Sequence, residues 1–154
     1  MQEAYEFGEL ETSRVVEQRV RLRQHGFASR VLGQYQHCCA FCGLDASGLR
    51  GHRLLVASHV KPWAASSNRE RLDPRNGIAA CTIHDSAFDT GLLTVQPDFA
   101  IQRASALERL VQAGDAAERL FGADTLGERL HLPAGVPGPG LGFLAYHRRE
   151  IFRG

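Results

Sequence analysis

Two closely spaced residue pairs carry the chemistry of a tetrahedral metal site. Cys39 and Cys42 are separated by two residues, and so are Cys81 and His84, with a long insert between the pairs. Thiolate and imidazole suit Zn²⁺, and four such ligands close its coordination shell without leaving a position for catalysis. The spacing therefore predicts a structural zinc site. Cys38 lacks this spacing to Cys42 and is predicted to be a buried or spare thiol.

A second set of polar residues lies beside these pairs. His59 falls in a short apolar run, Asn76 precedes a glycine, and Asp85 directly follows a predicted zinc ligand. Phosphodiester hydrolysis needs a base near neutral pH, which histidine provides, and a hard cation, which a carboxylate binds. Each residue also has an ordinary structural interpretation, as a core histidine, a turn asparagine or a carboxylate at a helix start. Their occurrence together, in this order, favours the catalytic interpretation.

The predicted elements place these residues on a strand, a loop and a helix. Apolar residues at helical spacing predict a helix over residues 14–35, capped by Ser13, with Gly26 as a point where it divides. Short apolar runs predict strands at 54–60 and 78–81, joined by a loop at 64–77, and a helix follows at 81–88. A hairpin at 92–102, helices at 104–110 and 116–121, an extended Pro/Gly loop and a final helical turn at 147–153 complete the prediction. The strand with His59, the loop with Asn76 and the helix with Asp85 can then converge, and zinc would hold their geometry.

The composition is that of a globular chain of 154 residues, which fits one domain at 14–154 preceded by an acidic arm at 1–13. The chain contains no apolar run long enough for a membrane span, and its acidic start differs from that of a signal peptide. These features predict a cytoplasmic protein, in which reduced cysteines bind metal rather than form disulfides.

The positive charge is concentrated in one part of the chain. Residues 14–80 hold 11 Arg and Lys against 4 Asp and Glu, a net charge of +7, although the whole chain carries only +1. Lys61, Arg69, Arg71 and Arg75 surround the proposed site in sequence and are predicted to contact DNA phosphates. An arginine-rich solvated surface is the alternative interpretation of the same charge pattern.

Three segments together resemble bacterial HNH endonucleases, including restriction enzymes. These segments are ASHVKPW at 57–63, RLDPRNG at 71–77 and HDSAFDTGLL at 84–93. The resemblance extends from residue 21 to residue 95 and includes the tail at 130–152. It implies an α+β fold centred on a zinc-stapled, treble-clef-like ββα-metal finger at about 39–95, with helices added at both ends and a helical extension at 104–154.

The resemblance also implies roles for the candidate residues. His59 matches the general base, Asn76 the residue that orients the loop of that base, and Asp85 the third motif residue, a ligand of the catalytic Mg²⁺ or Mn²⁺. Ser58 stands where many relatives carry an Asp or His ligand, so the cation is expected to rely on Asp89 as well. His84 could instead be the third motif residue, but its spacing to the cysteines favours zinc.

The sequence therefore predicts a metal-dependent endonuclease that cleaves DNA, in restriction, defence or mobile-element biology. One finger has one active site, so double-strand cleavage would need a homodimer or two successive nicks. No sequence-reading element is evident, which leaves weak specificity or a specificity partner as alternatives. Two rivals remain: a catalytically inactive zinc module that binds DNA or protein, and a toxin nuclease.

Overall fold

A long helix, α1, leads into the centre of the structure. The computed structural model describes the backbone from Gln2 to Gly154 and the side chains from Ser13 onward. The sequence predicted a helix that is capped by Ser13 and divides at Gly26. Instead, α1 spans Gln2–Gln34 without interruption. From Gln2 onward, the backbone of the predicted acidic arm is therefore helical and continuous with α1. The division of the chain into this arm and a domain at 14–154 stays a prediction. Among the side chains described for α1, from Ser13 onward, the buried ones, Phe27 and Val31, lie near the end of the helix.

The remaining elements follow in the order strand, helix, strand, helix, hairpin, helices. Their bounds are β1 Leu55–His59, α2 Asn68–Leu72, β2 Gly77–Cys81, α3 Thr82–Asp89, β3 Leu93–Val95, β4 Ile101–Arg103, α4 Ser105–Ala113, α5 Asp115–Phe121 and α6 Leu141–Tyr146. Single 3-10 turns cover Trp63–Ala65 and Pro74–Asn76, and a π-helical turn at His147–Ile151 continues α6. The mixed helix and strand content agrees with the predicted fold class.

A ββα unit forms the centre of the fold. β1 and β2 pair antiparallel, from Leu55 opposite Cys81 to His59 opposite Gly77. α3 follows β2 directly and contacts both strands. On the other face the strands meet α1, where a Cβ on Gly77 would lie 2.4 Å from Val31. Glycine is required at this position because helix and strand approach so closely.

Two predicted segments differ from the structure. Residues 64–77 were predicted to be a loop, yet they contain α2, which begins with a capping box between Ser67 and Glu70. The last helical turn was predicted at 147–153, whereas α6 begins at Leu141, directly after the Pro/Gly-rich loop. Among the described residues, no helix combines the length and the apolar character that crossing a membrane requires.

Candidate active site and metal centre

Cys39, Cys42, Cys81 and His84 meet at one point. Their ligand atoms all lie within 4.8 Å of one another, and Cys81 Sγ is 3.2 Å from His84 Nδ1. Cys39 and Cys42 lie in a tight turn after α1, in which the Gly43 N–H donates to the Cys39 carbonyl. The structure thus brings the four predicted ligands together, and this Cys₃His donor set fits a tetrahedral Zn²⁺.

The orientation of His84 is fixed by a partner far along the chain. Its Nε2 lies 2.8 Å from the carbonyl oxygen of Leu120, near the end of α5. Because a carbonyl only accepts, Nε2 carries a proton, and Nδ1, which lies among the three sulfurs, is the atom that would bind a metal. Nothing in the sequence indicated the Leu120 contact. Cys38 lies outside the cluster, as its spacing predicted. Its thiol is directed at the Gln36 carbonyl.

The proton affinities in the cluster also fit a metal site. Burial alone would lower the pKa of His84, but its hydrogen bonds to Cys39 and Cys81 raise it to about 10. The pKa of Cys42 is raised, first by its hydrogen bond to Cys39 and then by that to Cys81. Metal ligands must be deprotonated, so a divalent cation bound here would release the protons that these groups otherwise share.

His59, the predicted general base, is the last residue of β1 and faces α1. Its ring stacks on Phe27 with centroids 4.1 Å apart and an interplanar angle of 8°. Its Nε2 lies 3.0 Å from the carbonyl oxygen of Arg71. Since that oxygen can only accept, Nε2 donates, and a neutral His59 carries its lone pair on Nδ1. The imidazole is thus oriented on two sides, and Nδ1 is the atom able to take a proton.

Asn76 is fully buried and closes the loop between β1 and β2. Its Oδ1 accepts from the Lys61 N–H at 2.8 Å. Its Nδ2 donates to the Glu70 carbonyl at 3.1 Å, and more weakly to the Lys61 carbonyl at 3.3 Å and Ser66 Oγ at 3.4 Å. The Val60 N–H donates to the Asn76 carbonyl at 3.0 Å. One side chain therefore fixes the backbone on both sides of the segment that follows His59.

Ser58, Asp85 and Asp89 lie on the other face of β1. The Ser58 side chain is buried, and its hydroxyl has no hydrogen-bond partner among the described atoms. Asp85 and Asp89 are one turn apart on α3 and share a face of that helix. Burial raises the pKa of Asp85, and the charge of Asp89 raises it further. The Ser58 hydroxyl faces the carboxyl without a normal hydrogen bond and lowers this pKa.

These oxygen donors fit a hard cation. Mg²⁺ and Mn²⁺ prefer oxygen ligands. The site offers the buried hydroxyl of Ser58, which has no partner among the described atoms, the partly buried carboxyl of Asp85 and the exposed carboxylate of Asp89. The structure does not bring His59 into this group. Neighbouring residues of a strand face opposite sides, so His59 and Asp85 approach the end of β1 from opposite directions.

The four predicted phosphate-binding residues divide into two pairs. Lys61 forms an ion pair with Glu70 at 2.9 Å. The Arg71 guanidinium donates to the Trp63 carbonyl at 3.0 Å and lies 4.6 Å from the centre of the indole ring. Both side chains thus have partners within the protein. Arg69 and Arg75 are exposed, and no side-chain partner is found for either among the described residues.

Comparison with known proteins agrees with this geometry. Residues 39–96, which include both cysteine pairs and all of the ββα unit, match the HNH endonuclease family. A search among curated proteins finds no match.

Among solved structures, the fold is similar to that of a modification-dependent TagI restriction endonuclease, with 16% sequence identity and a TM-score of 0.50. The similarity covers 80% of this chain, which spans 36% of that protein. At this identity the likeness concerns the fold, and it includes elements on both sides of the matched segment. Residues 39–96 of this chain, which hold both the cysteine pairs and the ββα unit, are thus similar in sequence to the HNH endonuclease family.

Proposed function

We propose that the chain is a metal-dependent endonuclease that hydrolyses DNA phosphodiester bonds. The observation that carries the proposal is the oriented imidazole of His59, whose Nε2 is held by the Arg71 carbonyl and whose Nδ1 is left to accept a proton. This geometry, inside an HNH endonuclease domain, is what a general base requires.

The two faces of β1 suit an in-line displacement at phosphorus. In such a reaction the attacking water and the departing oxygen lie on opposite sides of the phosphorus atom. His59 reaches the end of β1 from the α1 side, where Nδ1 would take the proton of the water. Ser58, Asp85 and Asp89 reach it from the α3 side, where they would hold the cation. A bound Mg²⁺ or Mn²⁺ would supply Lewis-acid stabilisation of the phosphate and leaving oxygen.

The zinc cluster would serve structure rather than chemistry. Its four ligands leave no open position, and two of them, Cys81 and His84, flank the start of α3. Bound Zn²⁺ would therefore fix α3 against the turn that follows α1 and hold Asp85 at the end of β1. Removal of zinc is expected to unfold this region before it affects any chemical step directly.

A homodimer on duplex DNA would allow double-strand cleavage with one site per chain. Four exposed apolar side chains on α1 offer a surface for such contact, namely Val15, Val16, Val20 and Leu22. We place the activity in restriction or defence inside the cell, with specificity supplied weakly by the chain or by a partner. A strict monomer that makes clean double-strand breaks would contradict the dimer.

The second candidate is an inactive zinc module that binds DNA. Ser58 favours it, because a hydroxyl is a weaker ligand than the carboxylate or imidazole of many relatives. This candidate predicts DNA binding without cleavage, and no effect of Mg²⁺ or Mn²⁺ beyond charge screening.

A plasmid-nicking assay separates the two. Zinc-loaded protein is incubated with supercoiled plasmid, with and without added Mg²⁺ or Mn²⁺, beside His59→Gln and His59→Ala. The glutamine keeps a donor for the Arg71 carbonyl but cannot act as the base, so metal-dependent nicking should fall at least 100-fold in both variants. His25→Ala, which removes an exposed histidine of α1, is the matched control. Absence of nicking by the unaltered protein, with DNA binding intact, would favour the inactive module.

A further inference from the structure

A groove of about 640 Å³ lies between the segment 61–75 and α6. Its walls include three cations, one carboxylate and two aromatic rings, from Lys61, Arg75, Arg149, Glu70, Phe143 and Tyr146. Its volume is within the range of about 300–1,000 Å³ that is typical of small-molecule sites. We call it the basic groove. Three of these residues belong to the C-terminal extension, outside the segment that matches the HNH family.

The charge available in the basic groove comes from its two arginines. Lys61 is neutralised by Glu70 at 2.9 Å. Arg75 is exposed and has no side-chain partner among the described residues. Among the described residues, the ion pair of Arg149 is with its neighbour Glu150, and both side chains are about half or more exposed, so the pair contributes little and exchanges easily for another anion. Two arginine forks therefore face the groove and suit the oxygens of a phosphate.

The aromatic residues give the groove a surface of a different kind. The ring of Tyr146 lies 5.2 Å from Lys61 Nζ and 5.7 Å from Arg149 Cζ. Phe143 is partly buried beside it and packs on the core. Aromatic rings flanked by cations bind single nucleotides, because the base stacks on the ring while the phosphate meets the charge.

The basic groove is fixed to the loop that carries the candidate base. Lys61 lies two residues after His59, and both its N–H and its carbonyl are bound by the Asn76 side chain. The Gly140 N–H donates to the Arg75 carbonyl at 2.9 Å and ties the C-terminal segment to the same loop. A nucleotide in the groove would therefore lie beside the end of β1.

We propose that the basic groove binds one nucleotide of the DNA strand next to the cleaved bond, with its phosphate on Arg75 and Arg149 and its base against Tyr146 and Phe143. The proposal rests on the proposed function in taking DNA as the ligand. It adds a binding site formed by the C-terminal extension, and it requires a base that is unpaired while it occupies the groove.

The test is fluorescence anisotropy with labelled oligonucleotides and the non-cleaving His59→Gln protein. Arg149→Gln in that background should weaken binding of single-stranded DNA about 3- to 10-fold and reduce the salt slope of log K by roughly 1. Arg109→Gln removes the same charge from the exposed face of α4, outside the groove, and should have little effect. Equal affinities of the two variants would overturn the phosphate contact.

The base contact is tested with Tyr146→Leu and Tyr146→Phe. The leucine variant should bind single-stranded DNA about tenfold more weakly than the parent protein does. Its affinity for an oligonucleotide of abasic sites should equal that of the parent protein. The phenylalanine variant keeps the ring and should bind normally, which separates a lost stacking partner from a lost fold. A uniform loss on both oligonucleotides, or no loss, would overturn the base contact. Nicking of plasmid by the unaltered protein is scored separately, so the groove and the nuclease function can fail independently.

Discussion

The loop that carries His59 should depend on one side chain, Asn76. In Asn76→Ala the Lys61 N–H loses its acceptor inside a buried site. The Lys61 carbonyl still accepts from Ser66 Oγ at 3.1 Å, and the Glu70 carbonyl still accepts from the Asp73 N–H at 3.3 Å. Loss of the Asn76 amide therefore costs less free energy at these two carbonyls. An unsatisfied buried donor costs about 1–3 kcal/mol and each lost hydrogen bond about 0.5–1.5 kcal/mol. We therefore expect Asn76→Ala to lose about 2–4 kcal/mol of unfolding free energy.

Asn76→Asp tests the same geometry with almost no change of shape. One carboxylate oxygen still accepts from the Lys61 N–H, but the other meets the oxygens of Lys61, Glu70 and Ser66, to which the amide now donates. At pH 8 this variant should be less stable than Asn76→Ala, because a buried charge would lie against the carbonyl oxygens of Lys61 and Glu70. At pH 5.5 the carboxyl can take up a proton and donate, so the difference from the unaltered protein should shrink.

The assay is urea unfolding of zinc-loaded protein at both pH values, with each variant compared to the unaltered chain at the same pH. A loss of 2–4 kcal/mol corresponds to roughly 5–15 °C in Tm for a chain of this size. Asn68→Ala is the matched control, since Asn68 is exposed and its side chain accepts from Arg71 alone among the described residues, and it should stay within about 0.5 kcal/mol of the unaltered protein. The reasoning is refuted if Asn76→Ala matches Asn68→Ala, or if Asn76→Asp is the more stable variant at pH 8.

Three further predictions concern the proposed metal ligands. Cys42→Ser should abolish stoichiometric zinc and lower the helical circular dichroism, whereas Cys38→Ser should keep both; metal analysis that finds equal zinc in the two variants would contradict the assigned ligands. Because burial raises the pKa of Asp85, its protonated form favours folding, and this contribution is lost as pH rises through the raised pKa. Asp85→Asn should therefore raise Tm at pH 8 by roughly 1–4 °C while it abolishes nicking, and a lower Tm in thermal unfolding would show that the carboxylate is stabilising instead. Ser58→Asp adds a carboxylate beside Asp85, so it should lower Tm without divalent cations and reduce the Mg²⁺ or Mn²⁺ concentration needed for nicking about tenfold or more; an unchanged metal requirement would place the cation elsewhere.

The Cys₃His cluster and the ββα unit could be predicted because local spacing determines them. A gap of two residues between ligands fixes which atoms can share a metal, and Cys39 rather than Cys38 satisfies it. The apolar runs that became β1 and β2 are short and bounded by turn residues, which is typical of strands. These signals need no knowledge of the rest of the fold.

The helix boundaries were wrong where two local signals competed. Ser13 was interpreted as an N-cap, but the glutamates before it are good helix formers, and α1 continues to Gln2. α2 was interpreted as loop because Pro74 and polar residues dominate the segment. The spacing of Ser67 and Glu70 is a capping-box signal that would have located its start.

The orientation of the site could not be predicted, because it depends on contacts between distant segments. The imidazole of His59 is held by the carbonyl of Arg71, 12 residues later, and by the ring of Phe27 on α1. Backbone carbonyls leave no trace in the sequence. Lys61 and Arg71 were predicted to bind phosphate. Their contacts with Glu70 and with the Trp63 carbonyl depend on the fold and could not be predicted either.

The position of the zinc cluster indicates which half of the site it supports. Cys81 ends β2 and His84 precedes Asp85, so the cluster determines where α3 begins and where its carboxylates lie. His59 is held instead by α1 and by the loop that Asn76 closes. Loss of zinc should therefore displace the cation ligands while the base keeps its orientation. A metal in the cluster and a cation at Asp85 would then be coupled through α3, and zinc-depleted protein should lose cation-dependent nicking while it retains DNA binding through Arg75 and the basic groove.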